Sequence, residues 1–144
     1  MSRGYALVEL LLVLAVLALL TALGWPRLAA VADRQAAARA ADRVALAHRR
    51  ARMLALAHGR SVTLVLRADS LVVRWRDTTG SAWQAAGPAA DGATLEPSAD
   101  SLDYAPNGFA IGVANGSYRV RRGGEAAEVL VSRLGRVRII RNVP

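Results

Sequence analysis

Gly4-Tyr5-Ala6-Leu7-Val8-Glu9-Leu10-Leu11 opens an apolar run that continues to Trp25, and its reading decides the rest of the chain. From Ala6 to Trp25 only Glu9, Thr21 and Gly24 interrupt the apolar residues. About twenty residues of helix rise roughly 30 Å, the thickness of a bilayer's hydrocarbon core. A membrane-spanning helix is therefore the first expectation. Glu9 is the residue that does not fit, because a carboxylate in hydrocarbon costs on the order of a few kcal/mol unless it is paired or reaches the interface.

Two accounts of Glu9 stand side by side. In the first it lies near the end of the span and its side chain reaches the headgroups. In the second, Met1-Ser2-Arg3-Gly4 is a short basic leader that a peptidase removes after Gly4. Tyr5 then supplies a new α-amine, and Glu9 becomes the fifth residue of the trimmed chain. As apolar helices bundle laterally, the Glu9 carboxylate would neutralise the amine of a neighbouring subunit, since an unpaired charge there is far costlier than a paired one. Gly4-Tyr5-Ala6-Leu7-Val8-Glu9-Leu10-Leu11 resembles the type IV prepilin cleavage and methylation signature, and the resemblance favours this second account. It implies cleavage between Gly4 and Tyr5 by a prepilin peptidase, N-methylation of Tyr5 by the same enzyme, and an assembly role for Glu9. Tyr5 departs from the phenylalanine usual there. Pro26, twenty-two residues into the trimmed chain, sits where pilin-like proteins carry a helix-bending proline.

A chain of 144 residues, less leader and membrane helix, leaves one globular domain with a modest core. An ordinary secretory signal fits poorly: the leader is very short, the apolar run is long, and no small-x-small cleavage site follows it. Cysteine is absent, which removes disulfides, thiolate metal sites and thiol catalysis. The net charge of +8 is carried entirely by arginine. Such a balance favours anionic partners, yet arginine without lysine in an alanine-rich chain is also the coding habit of a GC-rich genome. Counting positive residues gives Arg3 and the amine before the span, against Arg27, Arg34, Arg39 and Arg43 after it. That rule alone places the C-terminal domain in the cytoplasm. The prepilin resemblance implies the opposite: a single-pass inner-membrane protein whose C-terminal domain is periplasmic.

Residues 1–4 are thus read as leader, 5–25 as membrane and assembly helix, 26–59 as an amphipathic helix continuing the stalk, and 60–144 as an antiparallel β domain. Trp25 suits a membrane interface, and Pro26 bends or loosens the helix. From Arg27 to His58 the alanine-rich pattern predicts helix, with Leu28, Val31, Ala38, Val44 or Ala45, Met53 and Leu56 as the packing stripe. Gly59 is a stop. Beyond it the period becomes two. Ser61–Leu66 and Leu71–Arg76 read as a hairpin, with Leu71, Val73 and Trp75 opposite Arg74 and Arg76. Residues 84–108 read as a long irregular segment with one short strand near Leu102–Tyr104 and a tight turn at Asn107-Gly108. Phe109–Val113, Ser117–Arg121, Glu128–Ser132 and Arg136–Ile140 read as a strand meander, turning at Asn115-Gly116 and Gly123-Gly124. Helix first and antiparallel strands afterwards make an α+β fold with the helix laid on one or two sheets.

Motifs of catalysis and metal binding do not occur. His48 and His58 lie ten apart without a metal-ligand pattern and read as solvated helix residues. Asp100 and Asp103 read as a solvated loop rather than a calcium site. Asn115-Gly116-Ser117 fits a glycosylation sequon, which turn chemistry explains equally well. No nucleophile elbow, P-loop or dinucleotide glycine pattern is present, so neither an enzyme nor a cofactor is expected.

The second informative stretch is Glu128 to Ile139. Strand periodicity puts Arg136 and Arg138 on one face and Val137 and Ile139 on the other. Arg119 and Arg121 have the same spacing. Four guanidinium groups on adjacent strands would form a phosphate-binding strip; the alternative is a sheet edge kept soluble by charge. A pilin-like N-terminus followed by strands and a closing Val-Ser-x-x-Gly-Arg-x-Arg resembles the GspH/FimT family of minor pseudopilins and minor pilins. On the secretion side the resemblance implies a minor pseudopilin of a type II secretion system, in a periplasmic pseudopilus that drives protein export. Its partners would be other pseudopilins or pilins, the prepilin peptidase, the inner-membrane assembly platform and membrane lipid. On the uptake side it implies a FimT-like minor type IV pilin. There Gly135-Arg136-Val137-Arg138 would capture DNA, helped by Arg119 and Arg121.

Overall fold

In the computed structural model, residues 3–78, 80–112, 115–141 and 143 are described, without side chains at 3–6 and 23–24. Met1 and Ser2 of the expected leader, and Val113 of an expected strand, lie outside the described residues. Alanine and leucine, the best helix formers, dominate the first part of the chain, and residues Arg3–His58 form one α-helix, α1. Pro26 lies inside it and brings no N–H to the helical ladder. Gly59 ends it with φ +60, and the Arg60 N–H bonds the Ala55 carbonyl at 3.3 Å. That six-to-one bond across a left-handed glycine is a Schellman stop. The chain divides into two compact units, one to Ala32 and one from Asp33.

In the second unit the strands are β1 Val62–Leu66, β2 Ser70–Trp75, β3 Ser81–Ala86, β4 Thr94–Pro97, β5 Ser101–Tyr104, β6 Ala110–Ile111, β7 Asn115–Arg122, β8 Glu125–Ser132 and β9 Val137–Arg141. One sheet runs β3-β2-β1-β5-β6 and the other β4-β7-β8-β9, with antiparallel pairing throughout. The C-terminal half of α1 packs with both sheets in one core. From β1 and β2 it takes Val62, Leu64, Leu71 and Val73, and from β7 and β8 Tyr118, Val120, Val129 and Val131. The architecture is α+β, as the order of elements implies.

The helix presents a different stripe from the expected one. Leu28, Val31, Met53 and Leu56 are exposed, and only Val44 and Ala45 of that set are fully buried. The buried face is Ala36, Ala37, Ala40, Ala41, Val44, Ala45, Ala47, His48, Ala51 and Ala55. Methyl side chains let the helix backbone lie close to two sheets, so the large residues are displaced outward. His48 is fully buried rather than solvated. Its Nδ1 shares a hydrogen bond with the Tyr104 hydroxyl at 2.9 Å, and its ring lies 4.6 Å from that of Tyr118. Burial pushes the imidazole pKa down to about 3 and the Tyr118 phenol up to about 12.

Residues 84–108 are ordered structure, not an irregular segment. They contain the end of β3, a 3-10 helix at Pro88–Asp91, and strands β4 and β5. A buried charge fixes the 3-10 helix. Asp91 accepts from Arg43 Nε at 2.6 Å and Arg39 Nε at 3.3 Å, while Arg122 donates to the Asp91 carbonyl. Arg122 Nε also reaches Asp33 at 3.1 Å, tying β7 to the helix. Pro97 ends β4, an edge strand, where a missing N–H is tolerated. Asp103 lies in β5, accepting from the Thr63 hydroxyl at 2.6 Å with Arg76 at 3.4 Å, so it belongs to a sheet and not to a loop.

The hairpin β1–β2 forms around residues 67–69 in the expected register, Leu66 opposite Leu71. Gly108 turns the chain at φ +76, as its Asn-Gly pair predicts. The strand expected from Phe109 is only the two residues of β6. Asn115-Gly116 is not a turn: both residues pair within β7, opposite Ser132 and Val131. A Cβ on Gly116 would stand 2.9 Å from the Tyr118 ring, so the glycine is the seat on which that ring folds. Gly123-Gly124 does turn, linking Arg122 to its partner Glu125 with Gly123 at φ +56.

Candidate functional site

Two regions carry the residues singled out by sequence. In the first unit, Gly4 and Tyr5 lie in the first turns of α1, and their side chains fall outside the described set. Glu9 is exposed on the helix surface. Around it the large apolar residues from Leu7 to Leu20 are between 49% and 65% exposed, uncovered by any other part of the described residues. The helix is long and apolar enough to cross a bilayer, by length and composition. Thr21 leaves no unmet hydroxyl there, since its Oγ donates to the Leu17 and Ala18 carbonyls at 3.0 and 2.9 Å. Glu9 is therefore the ionisable side chain in the apolar stretch that has no local partner among the described residues.

The second region is where two turns, one at Gly108 and one after β8, meet the end of α1. After β8 the chain turns through Arg133-Leu134-Gly135, with the Gly135 N–H on the Ser132 carbonyl at 2.8 Å and the Ser132 N–H on the Arg136 carbonyl at 3.0 Å. Gly135 has φ +71 and is buried. A Cβ there would stand 2.5 Å from the Gly108 carbonyl oxygen and 2.8 Å from Arg52, so only glycine fits. Arg52 Nε donates to that same Gly108 carbonyl at 3.2 Å, locking helix, turn and hairpin together. The groove so formed has a volume of about 670 Å³. Met53, Leu56, Phe109 and Leu134 supply apolar lining, and Arg49, Arg52 and Arg136 supply charge.

The four arginines do not form one strip. Strand β8 lies between β7 and β9, so Arg119 and Arg121 are not on a strand adjacent to Arg138. Arg119 stands opposite Glu96 on one side and Glu128 on the other, in a row of mixed charge. Arg121 lies 3.9 Å from Glu96. Arg136 precedes β9, in the turn, and lines the groove beside α1, whereas Arg138 shares the outer face of the sheet with its neighbour Leu130. Val137 and Ile139 point inward onto the core, as strand alternation requires. What sequence reasoning missed is Arg49, Arg52 and the apolar lining. Helical spacing of 49, 52, 53 and 56 on one exposed face was the available signal.

No protein-family model matches the sequence, and neither does any curated protein sequence. Two solved structures of the type IV minor pilin FimU of Pseudomonas aeruginosa (strain PAO1) match the fold. One, in space group P65, is 14% identical over 71% of this chain and 90% of that chain, with a TM-score of 0.62. The other, in space group P21, is 15% identical over 74% of this chain and 90% of that chain, with a TM-score of 0.65. This chain has the pilin fold: one long N-terminal helix packed on antiparallel sheets.

Proposed function

We propose that this chain is a minor pilin-like subunit that assembles into a filament through its N-terminal helix. The observation that carries the reading is an uncovered apolar helix bearing one carboxylate, Glu9, ahead of a pilin fold. Such a surface is satisfied by lipid before assembly and by other helices afterwards, and neither environment tolerates an unpaired charge well. Cleavage between Gly4 and Tyr5 creates the amine that Glu9 of a neighbouring subunit needs, and methylation of Tyr5 caps that new end. Pro26 sits within the helix where it can loosen the packing. In the finer reading, the machine is a type II secretion system and the subunit a minor pseudopilin of the GspH type. It waits in the inner membrane with its globular unit in the periplasm, and its partners are the prepilin peptidase, the assembly platform and other pseudopilins. The test is mass spectrometry of the membrane-extracted chain from cells with an active prepilin peptidase. A chain beginning at Tyr5 is expected; Met1 to Gly4 still attached would remove the reading.

One observation favours a second reading, DNA capture for uptake: Arg136 and Arg138 are exposed and enter no ion pair among the described residues. Titrating the full chain in detergent with duplex DNA at rising salt tests it. Capture by phosphate contacts predicts affinity that falls with salt, and Arg136→Ala should lower the salt slope by about 1. Absence of binding at low salt removes this reading.

A further inference from the structure

The end of the globular unit carries an apolar surface and a one-sided charge that the core does not use. Met53, Leu56, Phe109 and Leu134 are 52%, 48%, 44% and 59% exposed around one groove. Its rim arginines, Arg49, Arg52 and Arg136, have no carboxylate partner among the described residues, while the acidic groups near α1, such as Asp33, Asp42 and Asp91, are already paired. Among the described residues, no acidic side chain lines the groove. The floor is also preorganised, because Gly108, Gly135 and Arg52 are held against one another by the contacts described above. A preformed site loses less entropy on binding than a mobile one.

We infer that this groove docks a carboxylate-rich polypeptide segment that carries large apolar side chains, contributed by a partner protein of the assembly. The apolar residues would seat the partner's aliphatic or aromatic side chains, and the three guanidinium groups would receive its carboxylates in paired hydrogen bonds. Duplex DNA suits this groove less well: its phosphates could use the rim, but they offer nothing to four half-exposed apolar side chains. Charge complementarity excludes a basic segment, since burying like charges together is strongly unfavourable. The inference rests on the assembly reading only in expecting the partner in the same machine.

The test places photoreactive benzoylphenylalanine at position 134 of the full chain in its producing cells, with position 140 as the control. Ile140 is 37% exposed but lies on β9 away from the groove. Adducts at 134 are expected to map to polypeptide segments with surplus Asp and Glu next to apolar residues. Arg136→Glu is expected to cut their yield at least tenfold, and both changed side chains are exposed, so folding is preserved. Adducts of nucleic acid or lipid, segments without surplus acid, a yield no higher than at 140, or a yield unchanged by Arg136→Glu would each overturn the inference. Incorporation into filaments is followed separately. A chain that incorporates without giving the acidic adduct overturns the groove proposal alone, whereas failure of the unsubstituted chain to incorporate overturns the assembly reading whatever the adducts show.

Discussion

Acidification from pH 6.5 to 4.5 is expected to destabilise the globular unit by roughly 2 kcal/mol, and His48→Gln to abolish most of that loss. The imidazole is fully buried between β5 and β7, and the ionisable groups packed on it are the phenols of Tyr104 and Tyr118, neither of which offers a negative charge. Its Nε2 has no hydrogen-bond partner among the described residues. Burial therefore holds the folded pKa near 3, against 6.5 for a solvated histidine. The folded pKa is the lower one, so between these values the unfolded chain binds a proton that the folded chain refuses. Stability is complete above pH 6.5 and falls as pH drops through that window, by about 1.4 kcal/mol per unit. Denaturant titrations of the full chain in detergent, read by tryptophan fluorescence at several pH values, supply the measurement. A variant with the same slope as the wild type would show that His48 does not carry the effect. His58, exposed and hydrogen-bonded to the Leu54 carbonyl, serves as the control position.

The second large effect concerns Glu9. Glu9→Ala is expected to leave membrane insertion intact and to reduce the chain recovered in filaments at least tenfold. Removing a carboxylate makes the helix easier to insert, because a charge at membrane depth costs on the order of a few kcal/mol. On the assembly reading, what it removes is the partner of the amine that processing creates on the neighbouring subunit. The amine is then left unpaired in an apolar bundle, the costly half of a broken buried pair. Blocking cleavage at Gly4 should produce the same defect by withholding the amine. Combining both changes should be no worse than either one, since the two act on one contact. Filament fractions quantified by immunoblot decide the matter, and normal incorporation of Glu9→Ala sinks the pairing account.

Where the chain announces itself by strong contrast, sequence reading reaches far. The apolar run, the glycine stop at Gly59 and the alternation in β1, β2 and β8 all follow from periodicity and turn chemistry. Contrast fails on the C-terminal half of α1, where alanine occupies both buried and exposed positions. The eye then goes to Leu28, Met53 and Leu56, which are the residues too large for the helix–sheet contact. His48 was legible in principle. It follows Val44 by four and precedes Ala51 and Ala55 by three and seven, on the buried stripe, but its polarity suggested solvent. Residues 84–108 were opaque for another reason. Strand β4 is four residues long, at a sheet edge, and depends on pairing with β7 across a long sequence separation. Of the candidate sites, the arginine tail was visible, but the fold separates its parts. Arg136 turns toward α1, and β8 intervenes before Arg119 and Arg121.

The arginine cluster around Asp91 decides where a pull along α1 is first carried. Traction along α1 enters the globular unit at Asp33, and within about three helical turns it meets Arg122, then Asp91 through Arg39 and Arg43. A tug on α1 is thus divided between the β7–β8 hairpin, at the turn end of which Arg122 sits, and the small helix that ends at Asp91. Several ion pairs share that junction, like stitches in one seam, so no single contact joins the helix to the sheets.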